Sequence, residues 1–141
     1  MKSIVTSTAG VLGGLLAGFF GGWTEALQVL LICMVIDFIT GIVTAIMNKS
    51  LKTESGKLNS TVTWKGLAKK TMTLVLVGLA YQLEKVSGFA GIKDIVVIGF
   101  IVDESISILE NASLMGIPIP NVLKKVLDVL HDRTEESSNS L

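Results

Sequence analysis

The sequence predicts an all-α integral membrane protein with three to four transmembrane helices and a short C-terminal amphipathic helix. Three observations predict it. Half of the 141 residues are hydrophobic. Only 17% are charged, where soluble domains carry about a quarter. Mean hydropathy is +0.65, and the apolar residues are gathered into blocks. The blocks lie near residues 4–23, 26–47, 64–86 and 92–114, within one helical membrane domain over 1–131.

The first block is rich in small residues. Gly10, Gly14, Gly18 and Gly22 recur every four positions, and Ala9, Gly13, Ala17 and Gly21 do so one position earlier. Lipid supplies little hydrophobic drive between helices, so close backbone approach is what packs them. The stripe reads as a self-association face in a homo-oligomer or, equally, as a packing face against the second block. A signal peptide is the weaker reading, since no Ala-x-Ala site follows and another apolar block begins at once.

The second block is the clearest span. It is long enough to cross a hydrocarbon core of about 30 Å, with one formal charge, Asp37, near its middle. An ionised carboxylate at that depth costs on the order of 3 kcal/mol on insertion scales. Thr40, Gly41 and Thr44 share its face. The stripe suits a water-facing surface in an assembled pore; the plainer alternative is a hydrogen bond within the monomer.

A polar loop follows. Residues 48–70 hold Lys49, Lys52, Lys57, Lys65, Lys69 and Lys70 against Glu54 alone. Lysine excess marks the cytoplasmic side, so this loop and the C-terminus are expected there. In the third block only residues 71–83 are free of charge. Lys69 and Lys70 extend it by snorkelling, and Trp64 and Lys65 suit the interface. Gly88 is its expected stop.

The fourth block has one wet face. At about 100° per residue, Asp103, Glu104, Ser107, Glu110 and Asn111 fall within a third of the circumference. That face suits a lumen or a solvated interface. The Gly116–Pro118–Pro120 run ends the helix. Asn121 is the expected N-cap of an amphipathic helix reaching 131, and residues 132–141 are expected to be a disordered polar tail.

Several chemistries are disfavoured. One cysteine and one histidine make no Cys/His metal cluster, and no Gly-Lys-Ser/Thr phosphate loop is present. No nucleophile–base set is evident, so no catalytic residue, metal or cofactor is assigned. The lysines lack a folded basic surface or aromatic platform for nucleic acid. The expected partners are the bilayer and other copies of the chain.

Asp37-Phe38-Ile39-Thr40-Gly41, then Leu58-Asn59-Ser60, Lys65-Gly66-Leu67-Ala68-Lys69-Lys70, and Asp103 to Asn111 leading into Met115-Gly116-Ile117-Pro118-Ile119-Pro120 follow one another along the chain. In this order they resemble the toxin-secretion and phage-lysis holin family, over roughly residues 26–130. The resemblance implies a protein that accumulates in the bacterial cytoplasmic membrane, then oligomerises into lesions that release endolysin or toxin. Endolysin would pass without specific binding, and an antiholin is a further partner of such proteins. The family has no catalytic residues to carry over. Its motif maps to Asp37, Thr40, Gly41, Lys65, Gly66, Lys69, Lys70, Glu104, Ser105, Glu110, Asn111, Gly116, Pro118 and Pro120. A regulatory membrane protein of antiholin type and a small ion channel are the alternatives.

Overall fold

A computed structural model describes residues 2–140, with side chains from residue 6 onward. The described chain is all-α, with five helices: α1 (Lys2–Phe20), α2 (Glu25–Ile46), α3 (Ser60–Ser87), α4 (Ile92–Leu114) and α5 (Asn121–Asn139).

Local chemistry sets the ends. α1 stops where Gly21 and Gly22 take positive φ of 72° and 90°. The Gly22 N–H reaches back to the Ala17 carbonyl at 2.7 Å, which satisfies one of the helix's last carbonyls. Gly22 is therefore part of the stop and not of the helical stripe. Thr24 caps α2, its hydroxyl accepting from the Leu27 N–H at 3.2 Å. Asn59 caps α3 through Thr61 N–H at 2.9 Å, and Gly88 ends α3 in the left-handed region as expected. At Gly116, with φ of 86°, the Ile117 N–H closes on the Ala112 carbonyl at 3.0 Å.

α4 is the central helix. α2, α3 and α5 each pack against it, and α1 packs on α3. The core is small and lies where Leu27, Leu30 and Met34 of α2 meet Val77 of α3 and Val97 of α4. The opposite face of α2 is turned outward: Val29, Ile32, Val35, Ile36, Ile39 and Ile46 are all exposed. An apolar belt of that extent is costly in water and marks a surface that something else covers.

Among the described residues, α2 is the one helix both long and apolar enough to cross a bilayer; α1 contributes a shorter apolar stretch, Thr6–Phe20. α3 and α4 carry charges that keep them below that threshold, so by length and apolarity one helix qualifies as a span and not three or four.

Three local expectations change. The small-residue face of α1 does not pack against α2. The helix docks on α3 by its C-terminal end, where the Phe19 ring fills the space a side chain at Gly78 would occupy and Gly21 lies against the Tyr81 ring. Gln82 Nε2 secures the joint by donating to the Phe19 carbonyl at 3.1 Å. Asn121 is not an N-cap: it is the first residue of α5, Pro120 precedes it, and no side chain caps that end. α5 also runs on through the expected tail to Asn139. Polar contacts along the helix support the extension: His131 Nε2 lies 3.2 Å from Glu135, and the Thr134 and Ser138 hydroxyls donate back to carbonyls four residues earlier at 2.8 Å. Leu127, Leu130 and Thr134 are half-buried where α5 folds back over α4.

Candidate functional site: a polar cleft between α2 and α3

Because α2 and α3 both lean on α4 while standing apart from each other, a cleft remains between them. It encloses about 360 Å³. Its floor is the Asp103, Glu104 and Ser107 face of α4; its walls carry Asp37 and Gly41 of α2 and Gly66, Lys69, Lys70 and Thr73 of α3. The segment between α2 and α3 closes one end with Ser50, Lys52, Thr53 and Lys57. That segment has its own order. Ser50 N–H donates to the Gly56 carbonyl at 3.2 Å, and Gly56, at φ of 68°, lies so close to the Asn48 carbonyl that a side chain would not fit.

At the bottom of the cleft, three charges meet. The Lys70 ammonium lies 2.9 Å from Asp37 Oδ2 and also pairs with Glu104. The side chains of Lys70, Asp37 and Glu104 are 14%, 7% and 13% exposed, so all three are withdrawn from solvent. Asn111 completes the network. Its Nδ2 donates to Asp37 Oδ1 at 3.1 Å and to Thr40 Oγ1 at 3.0 Å. The Thr40 hydroxyl donates in turn to the Asp37 backbone carbonyl at 3.1 Å. Among the described residues no buried side-chain polar atom is left without a partner. A buried charge is tolerable only on such terms, since an unpaired one costs several kcal/mol.

Helical periodicity explains the convergence. Glu104, Ser107 and Asn111 are spaced i, i+3 and i+7 on α4, and Asp37 and Thr40 are i and i+3 on α2, so each set occupies one face. Lys70 meets them because α3 crosses α4 at the same level. The wet face expected on α4 is thus divided. Glu104, Ser107 and Asn111 turn inward, Asp103 is exposed at the cleft's edge, and Glu110 is exposed outside it. Thr44 is buried and donates to the Gly41 carbonyl at 2.8 Å; it does not line the cleft. Trp64 and Lys65 are exposed on the outer side of α3. Lys69 is exposed too, at the cleft's rim. Gly10, Gly14 and Gly18 are also exposed, with open space where a Cβ would sit; of the three, Gly18 meets α3 through its carbonyl, which accepts from Gln82 Nε2 at 3.4 Å.

Two features escape sequence reasoning. Lys70 reads as one more snorkelling lysine, yet it bridges two carboxylates; nothing in its neighbourhood on α3 distinguishes it from Lys69. Lys52 reads as loop charge, yet its ammonium reaches to 4.0 Å from the Cβ position of Gly41. Both depend on how three helices are rotated about their axes, which no single helix encodes. Among the described residues, no group of His, Cys, Asp and Glu side chains is placed to hold a metal ion.

The chain as a whole is similar to known proteins. The model of the bacteriophage holin family matches residues 14–132. An uncharacterized protein of Halalkalibacterium halodurans is 34% identical over 136 residues, covering 92% of this chain and 96% of its own. An uncharacterized 14.9 kDa protein encoded in the nagH 3′ region of Clostridium perfringens is 32% identical over 124 residues, covering 86% and 89%. An uncharacterized protein of Listeria monocytogenes is 32% identical over 130 residues, covering 90% and 88%. No solved structure matches the chain.

Proposed function

Starting from a chain that belongs to the bacteriophage holin family, we propose that it is a holin: a non-enzymatic protein of the bacterial cytoplasmic membrane that assembles into lesions and so times lysis. In this reading α2, α3 and α4 span the bilayer and α1 makes a fourth, shorter span. The lysine-rich segment before α3 and the C-terminus face the cytoplasm, as the lysine excess favours.

The observation that carries the proposal is the self-contained polar network. Asp37, Lys70, Glu104, Asn111 and Thr40 satisfy one another inside an otherwise apolar bundle. A monomer with that network keeps its most deeply withdrawn charges paired internally, so the protein accumulates harmlessly in lipid. The same groups are equally well served by water. Assembly that opens the cleft trades an internal partner for a hydrated wall, and the gap between the two states is small enough to be switched. Copies meet first through the uncovered stripe of α1, because close approach of small residues is the association that lipid permits.

The test is expression in bacteria, following viability and release of a folded cytosolic enzyme. Abrupt killing with enzyme release supports a lesion-forming holin. Ion leakage without enzyme release supports a small channel. Survival, with the protein recovered in the membrane, supports an antiholin role.

A further inference from the structure

We propose that the mouth of the α2–α3 cleft is a binding site for an anionic phospholipid with a hydroxyl-bearing headgroup, of the phosphatidylglycerol type, in the cytoplasmic leaflet. The inference rests on the membrane reading above. It starts from an imbalance among the cleft's charges. Asp37 and Glu104 share the single Lys70 ammonium, and the lining as a whole carries Lys52, Lys57, Lys69 and Lys70 against Asp37, Asp103 and Glu104, a net positive charge. Lys52, Lys57 and Lys69 also line the cleft, and none of them is ion-paired among the described residues. Three unpaired ammonium groups therefore surround an opening whose one unpaired carboxylate is Asp103.

Their placement suits a phosphodiester. Lys52 and Lys57 come from the ordered segment at the end of the cleft and Lys69 from the third turn of α3, so the charges approach from two sides. Basic pockets between helices on the cytoplasmic side are a recurrent way of holding anionic headgroups. The rest of the lining decides between headgroups. Asp103 and Ser107 offer acceptors for hydroxyl groups, which a glycerol headgroup supplies and a choline headgroup does not. Phe38, Ile42, Leu58 and Val62 supply apolar wall beside the polar groups, as a lipid's glycerol backbone and first methylenes require. The cavity, about 360 Å³, lies in the range of sites that hold small ligands.

The assay is native mass spectrometry of the full chain, purified from membranes in neutral detergent and offered phosphatidylglycerol and phosphatidylcholine in equal amounts. The wild type is expected to retain phosphatidylglycerol selectively, one per chain. The K52Q/K57Q/K69Q variant is expected to lose retention by at least about tenfold. The K49Q/K124Q/K125Q variant removes the same charge outside the cleft and is expected to keep it. Gly66→Leu fills the cleft without changing charge, since a Cβ there meets open space, and is expected to lose the lipid while circular dichroism shows helicity unchanged. Equal loss in the two lysine variants, retention by Gly66→Leu, or no preference for phosphatidylglycerol in the wild type would each overturn the site. Recovery of the protein without detergent would instead overturn the membrane reading itself.

Discussion

Replacing Lys70 with methionine keeps the unbranched apolar stem, one atom shorter, and removes the charge, and so isolates the ion pair. The ammonium is 2.9 Å from Asp37 and also binds Glu104, with all three side chains at most 14% exposed. Without it two carboxylates face each other across the cleft. Asp37 keeps its bond from Asn111, but Glu104 has no other hydrogen-bond partner among the described residues. Removing one member of a buried pair costs about 3–5 kcal/mol. The cleft opens toward water at the segment end, which places the loss near the lower bound, about 3 kcal/mol, or roughly 150-fold in the unfolding equilibrium. Reversible denaturation in mild detergent measures it. The D37N/K70M/E104Q variant removes all three charges and is expected to recover to within about 1 kcal/mol of wild type, because a neutral buried set carries little desolvation cost. In cells the two variants should diverge: Lys70→Met destabilises the closed monomer and advances killing, whereas the neutral triple variant delays it. A Lys70→Met protein within about 0.5 kcal/mol of wild type, the range of ordinary surface changes, would refute the reasoning.

Three more perturbations test other parts of the account. Asn111→Ala removes the donor shared by Asp37 and Thr40 and should cost about 1–3 kcal/mol, read in the same denaturation experiment. Gly78→Ala drives a methyl group into the Phe19 ring; it should cost about 1–3 kcal/mol and make α1 selectively sensitive to protease while α2–α4 stay intact. At Gly14 a Cβ meets open space, so with Gly14→Leu the denaturation midpoint should not fall, yet chemical cross-linking in membranes should lose its higher oligomers and enzyme release should be delayed.

Much of the helical framework is legible in the sequence because it is written locally. The long apolar run of α2, the stop at Gly88, the Gly116–Pro120 break and the polar face of α4 each depend on residues within a few turns of one another. The length of α5 is less legible, because weak propensity through Ser137–Ser138–Asn139 is offset by side-chain-to-backbone bonds and by contact with α4. The docking of α1 on α3 is not legible at all: Gly78 looks like an incidental glycine until Phe19 is seen to fill its place. The site behaves the same way. Asp37 stands out as a charge in an apolar helix, but its partner does not, since Lys70 lies among several lysines and only the rotation of α3 against α4 selects it.

The central claim is that groups satisfied inside the closed monomer become water-lined when the lesion forms. Its most direct measurement places a cysteine at Ser107, in a background where the native Cys33 is alanine, and follows labelling by a bulky membrane-impermeant thiol reagent added to growing cells. The account predicts no labelling before the onset of killing and rapid labelling after it, in step with enzyme release. If Ser107→Cys stays unlabelled while cells lyse and a cysteine exposed to the medium reacts normally, the cleft does not face the lesion and the account is contradicted.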